Sequence, residues 1–171
     1  IQIKIQGYQA KHINADKASL AALSGINTDD FVGHAYFINS GTQQILVELT
    51  NRQALANVQI DMAKLRELHI DNPFKTTEEP SIYYWFADGD IIHSRMFFEQ
   101  NNSLVEDSGT GSACANLGAY FISQNHYPIS KAIHQGDDMG RPNRLTLKVD
   151  NEQNIFVGGN VIEVGKGEFY L

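Results

Sequence analysis

Ala113-Cys114-Ala115-Asn116-Leu117-Gly118-Ala119-Tyr120-Phe121-Ile122 carries no charge and is apolar or small on almost every side. In a helix predicted from about residue 111 to 124, this composition belongs to a segment wrapped by other structure all round. Gly118 and the alanines let neighbouring backbones come close. The rest of the chain supplies the wrapping. Residues 31–38, 44–50, 81–86 and 91–98 are rich in aromatic and β-branched side chains and read as strands. Ala87-Asp88-Gly89-Asp90, between two of them, is a strong hairpin turn. Beyond Gly140-Arg141-Pro142, short strands are predicted at 145–149, 155–157, 161–164 and 168–171. They are separated by Asp150-Asn151-Glu152, Gly158-Gly159 and Gly165-Lys166-Gly167. Two flanking helices are predicted at 16–23 and 61–68, the first stopped by Ser24-Gly25. The expected fold is α+β: a strongly curved, mostly antiparallel sheet or barrel around one central buried helix.

The chain has 171 residues, 42% of them hydrophobic and 10% aromatic, which fits one globular domain with its own core. The net charge of −7 is spread along the sequence, so no basic surface suits a phosphate backbone, and nucleic acid is not an expected partner. No apolar stretch has the length of a membrane span and no signal-peptide pattern opens the chain, so no membrane partner is expected and the cytoplasm is the default compartment. A single cysteine excludes an internal disulfide. The alternating run Ile1-Gln2-Ile3-Lys4-Ile5 reads as a strand beginning at the first residue, which suggests a piece of something longer.

Directly before the apolar helix stands Glu106-Asp107-Ser108-Gly109-Thr110-Gly111-Ser112. Glycines let the backbone turn sharply and approach a ligand, and the first N–H groups of a helix have no partner within it. With the positive end of the helix dipole, they can hold a carboxylate or an enolate oxygen. Thr110 and Ser112 add hydroxyls, and Asp107 adds a group able to move a proton. The same residues also serve as ordinary caps and turns. The fully apolar helix behind them favours the functional reading, because it makes this loop resemble the floor of a binding site.

Glu106-Asp107-Ser108-Gly109-Thr110-Gly111-Ser112-Ala113 resembles the E-D-P-x-T-G-S-A signature of the PhzF family, the phenazine-biosynthesis-like isomerases. Arg95-Met96-Phe97 is similar to the strand that leads to it. Gln135-Gly136 with Met139-Gly140-Arg141-Pro142 resembles the family's Q-G-x-x-M-G-R-P segment, and Val157-Gly158-Gly159 its V-G-G strand end. Asn39-Ser40-Gly41-Thr42-Gln43-Gln44-Ile45-Leu46-Val47 is similar to its glycine turn between strands. The resemblance implies the fold of diaminopimelate epimerase, in which two similar domains face each other and substrate lies between the N-termini of their central helices. It implies a proton shift without metal or organic cofactor. Asp107 matches the catalytic Asp, Gly111 and Ser112 match the adjoining ligand-holding positions, and Gly41 and Thr42 would lie across the same cleft. The substrate carboxylate or enolate is expected on the backbone of Gly109, Thr110, Gly111 and Ser112. Ser108 stands where the family has Pro, and Gly109 where it has a bulkier residue, so a looser loop is expected.

The family's acid–base Glu, in an S-E-T segment of the N-terminal domain with a G-H-A-T loop as partner, has no counterpart here. Gly33-His34-Ala35 continues as a strand and matches the C-terminal half instead. Residues 1–171 therefore read as one C-terminal domain, with 1–10 the connecting strand. The other half of the site would come from an N-terminal domain or a second chain, and association, for example as a homodimer, is expected. The function expected of the complete protein is a cofactor-independent isomerase acting on a small carboxylate-bearing metabolite; the alternative is a non-catalytic anion-binding or structural remnant. A hydrolase is disfavoured because Ser112 and Cys114 lack a G-x-S-x-G context. Cys114 reads as a packed small residue, Tyr83-Tyr84-Trp85-Phe86 as core, and Arg141 as a loop anchor. The six histidines show no paired spacing for a metal, and His12, His69 and His126 read as surface or turn residues.

Overall fold

The computed structural model describes residues 2–5, 7–75 and 78–168. Among them run ten strands and four α-helices: β1 (Gln2–Ile5), β2 (Gln9–His12), α1 (Lys17–Ser24), β3 (Tyr36–Asn39), β4 (Gln43–Glu48), α2 (Arg52–Asn57), α3 (Met62–Ile70), β5 (Ser81–Asp88), β6 (Ile91–Gln100), β7 (Ser103–Asp107), α4 (Gly111–Ser123), β8 (Ile129–Gln135), β9 (Asn143–Val149) and β10 (Ile155–Gly159). One sheet holds every strand in the order β1-β10-β9-β8-β6-β5-β4-β3-β2, with β7 added to β6. The β4–β5 and β6–β8 pairs are parallel and the remaining pairs antiparallel. β1 and β2 follow each other in the chain yet lie at opposite ends of this order, pairing β10 and β3 respectively. The sheet therefore curls back on itself around α4, as expected.

Strand alternation sorts side chains to two cores. Ile38, Leu46, Tyr83, Trp85, Ile92, Met96, Ile133, Leu147 and Ile155 face inward and pack with Ala113, Cys114, Leu117 and Ile122 of α4. Phe37, Ile45, Val47, Ile82, Tyr84 and Phe97 face outward and are covered by Leu20 and Leu23 of α1, Leu55 of α2 and Leu65 of α3. The aromatic run 83–86 is core, split between the two faces. Gly118 is where α4 meets the sheet most closely: a Cβ there would lie 2.8 Å from Ile155 Cγ2 and 3.0 Å from Leu147 Cδ1.

Several expectations need correction. Gly158 and Gly159 do not separate strands: they belong to β10 and form its end, in register with Thr146 and Leu145 of β9, which extends the strand predicted at 155–157 by two residues. Residues 161–164 form no strand: they have no pairing partner among the described residues, and Val161, Ile162 and Val164 are 63%, 83% and 98% exposed. The turn predicted at 165–167 is accordingly no hairpin, and of the strand predicted at 168–171 only Glu168 is described, outside regular structure. The strand predicted at 31–38 begins only at Tyr36, Phe31 making a single bridge to Leu49. Four elements carry no strong local signal and were not expected: β2, α2, β7 and β8.

Candidate functional site

β7 ends at Asp107, and α4 begins at Gly111 after three intervening residues. Asp107 pairs with Met96 across β6, and Glu106 with Phe97, so the two acids point to opposite faces of the sheet. Glu106 faces outward into a two-pronged ion pair with Arg95 (2.8 Å at each prong), whose remaining Nη1 donates to Leu55 O, Ala56 O and Val58 O. That pair ties α2 to the sheet and takes no part in the loop chemistry. Asp107 faces the inner side, where the Thr110 hydroxyl donates to its Oδ2 at 2.6 Å and the Gly109 N–H to its Oδ1 at 3.3 Å.

Gln135, at the end of β8 and fully buried, fixes this loop. Its Nε2 donates to Asp107 O (2.8 Å) and Thr110 Oγ1 (2.9 Å), and its Oε1 accepts from Thr110 N (3.1 Å). Gly136 follows in a left-handed conformation (φ +80°), where a Cβ would collide with Arg141 O at 2.3 Å and Ser108 O at 2.7 Å. Glycine is required there on both counts. Arg141 anchors the segment through its main chain, its N–H donating to Gly136 O. The loop is not opened by Gly109. The Asn143 side chain fills the position a larger residue would occupy, its Nδ2 2.2 Å from where a Cβ would stand.

Because Thr110 gives its hydroxyl to Asp107, no side chain caps α4. The first helical hydrogen bond at this end runs from Cys114 N to Thr110 O, and the N–H groups of exposed Gly111 and Ser112 have no acceptor among the described residues. A Cβ on Gly111 would touch nothing within 4 Å, so the space in front of the helix is open. The Gly109 and Thr110 N–H groups, by contrast, are turned inward to Asp107 and Gln135. Exposed donors for a ligand thus narrow to the N–H groups of Gly111 and Ser112 and the Ser112 hydroxyl, with the N–H of buried Ala113 behind them.

The β3–β4 turn is held against this terminus by Asn116, which is fully buried in α4. Its Oδ1 accepts from Ser40 N (2.9 Å) and Ser40 Oγ (2.6 Å), and its Nδ2 points at Ile38 O, Thr42 O and Gln44 Oε1. Gln44 Nε2 continues the chain to Ser112 Oγ at 3.0 Å. Asp107, Thr110 and Thr42 line one cavity of about 250 Å³, with Glu78, Glu79, Met96 and Phe98 among its other walls. Glu78 accepts from Gln43 N at 2.7 Å. Gly41 (φ +134°) lies beyond that cavity, beside Tyr8 and Ser40. A larger hollow of about 700 Å³ lies apart from Asp107, between His12, Asp16, Lys17 and His34. His34 stacks edge-on with His12 there at 4.3 Å, away from the loop. Cys114 is buried, and that burial pushes its thiol up to about 12.

The profile of the phenazine biosynthesis-like proteins, PhzC-PhzF, matches residues 2–167. The chain belongs to the PhzF family. It is 40% identical over 149 residues to an "uncharacterized isomerase" of Pasteurella multocida, covering 87% of this chain and 48% of that protein. A second "uncharacterized isomerase", from Bacillus subtilis, is 25% identical over 159 residues, or 90% of this chain and 51% of its own length. The chain spans about half the length of the curated relatives it matches. Its fold is shared with a PhzF-family phenazine biosynthesis protein of Bacillus anthracis (TM-score 0.76, 19% identity, 92% of this chain and 56% of that one). A predicted epimerase of Pseudomonas aeruginosa is also similar in fold (TM-score 0.65, 22% identity, 92% and 58%).

Within this PhzF-family domain the loop is marked in the sequence but its supports are not. Gln135 was visible only as part of a motif, and Asn116 only as the single large polar side chain in an apolar helix. Gln44 was likewise visible only inside the 39–47 motif, and Glu78 and Asn143 carried no local signal at all. Among the described residues no helix is long and apolar enough to cross a membrane.

Proposed function

We propose that this chain supplies half of the site of a cofactor-independent isomerase that shifts a proton on a small carboxylate-bearing metabolite. The observation that carries the reading is the uncapped terminus of α4, with Thr110 Oγ1 bonded to Asp107 instead of to the helix. The substrate carboxylate, or the enolate oxygen that develops as the proton leaves, would lie on the N–H groups of Gly111 and Ser112. Gly109 and Thr110 shape the loop, and Thr42, with Gly41 in the same turn, closes it from the other side. One carboxylate takes a proton from carbon and another returns one elsewhere on the substrate, so no electrons are gained or lost. Asp107 is one of the two. The other is a Glu contributed by the remaining half of the full-length protein or by a second chain. The isomerase names of both curated relatives support this reaction class.

The test is proton exchange in deuterium oxide, followed by NMR on a panel of small unsaturated and α-substituted carboxylic acids with the full-length protein. A turned-over substrate should acquire solvent deuterium, and Asp107→Asn should slow this by about 10²–10⁴-fold while leaving the fold intact. Unchanged exchange in Asp107→Asn would remove Asp107 from the mechanism. Binding of an acid without exchange would make this domain an anion-binding module instead.

A further inference from the structure

His93 and His134 are 41 residues apart in sequence but are register partners on the parallel strands β6 and β8. Their rings lie 5.3 Å apart, centroid to centroid. Asp137 stands three residues beyond His134, just after the left-handed Gly136 turns the chain. One ligand atom from each of the three lies within 4.8 Å of the others. Neither imidazole has a hydrogen-bond partner among the described residues, although both are half-buried. Phe86 stacks flat on His93 at 5.1 Å and limits its rotation.

We propose that His93, His134 and Asp137 bind one divalent transition-metal cation of the zinc class. Two imidazole nitrogens and one carboxylate oxygen, with the remaining side open to water, form a donor set that suits zinc, cobalt or nickel better than magnesium or calcium. Metal–ligand bonds of about 2.0–2.2 Å place ligand atoms about 3–4 Å apart, so side-chain torsion supplies the remaining ångström or so. Nearby cations are already neutralised: Arg144 Nη2 donates to Asp137 Oδ1 at 2.7 Å, leaving the second oxygen, and Arg52 makes a two-pronged pair with Asp138. The site is separate from the loop around Asp107. Ser94 and Gln135, the next register pair, face inward, whereas His93 and His134 face the opposite side of the sheet. A bound ion would clasp β6 to β8 one residue from Gln135, which holds Thr110 and the Asp107 carbonyl.

Cobalt(II) titration of the metal-free full chain, read by visible absorption and calorimetry, tests this. One equivalent should bind, with the bands of an ion ligated by nitrogen. His93→Gln, His134→Gln and Asp137→Asn should each weaken it by at least about 10- to 100-fold, the range that changes around the ligands alone produce. Circular dichroism of the three variants checks that the sheet survives. The His12–His34 pair is the competing location, so His12→Gln serves as the control and should bind as the unaltered chain does. Loss of binding in His12→Gln with retention in His93→Gln overturns the assignment. So does failure of the unaltered chain to bind stoichiometrically.

Discussion

The outer helices and the central helix meet the same requirement at their N-termini in opposite ways. α1 is capped by Asp16 on Ser19 N, α2 by Asn51 on Ala54 N, and α3 by Asp61 on Ala63 N and Lys64 N. α4 follows a threonine that could cap equally well, yet that hydroxyl goes to Asp107. The outer helices are closed at the end that meets solvent and buried only on the face against the sheet. α4 is buried along its length and open at its tip. The contrast shows that a cap-type residue before a helix marks a boundary, while a competing acceptor decides whether the boundary is sealed or left to bind something.

The largest effect expected from this contrast is chemical. With its thiol pushed up to about 12 from an ordinary 9.0, native Cys114 should hold about a thousandfold fewer thiolates than a free cysteine, ten for each unit. Iodoacetamide at pH 8 should label it only after denaturation; rapid native labelling would show that α4 is not sealed along its length. Next comes Asn116→Leu, which leaves Ser40 N, Thr42 O and Gln44 Oε1 without the partner that Asn116 gives them. A loss of about 3–5 kcal/mol in urea unfolding is expected; a loss below 1 kcal/mol would mean that the turn does not depend on α4. Gly118→Ala should cost about 1–2 kcal/mol, because crowding against Ile155 and Leu147 outweighs the helix preference of alanine. Smallest is Asn51→Ala, at about 1 kcal/mol, the ordinary worth of a cap. Thermal unfolding that finds this last change larger than Gly118→Ala would reverse the ranking of outer and central helices.

What could be read from the sequence was whatever local pattern determines. The helices at 17–24, 62–70 and 111–123 announce themselves through acidic caps or through uniform apolarity, and the hairpin at 87–90 through its glycine. α2 is too short to show a period, and β8 mixes Lys131 and His134 into its pattern because it is only partly covered. The loop from Asp107 to Ser112 was legible because its residue types crowd into one run. Its supports were not, since Gln135 and Asn116 reach partners 25 to 78 residues away, at positions set by register. The pairing of His93 with His134 is hidden in the same way.

The position of β1 also sets a schedule for biosynthesis. Gln2 pairs with Gly158 and Ile5 with Ile155, so this strand leaves the ribosome long before its partner exists. At about 5–20 residues per second that interval is about 8–30 s. Throughout it, the bonding edge of an alternating Ile-Lys-Ile segment stands unpaired, which is the arrangement that recruits strands from other nascent chains. Lys4, at the centre of that segment and resting near the Phe156 ring at 5.9 Å once folding is complete, is the charge that guards it in the meantime.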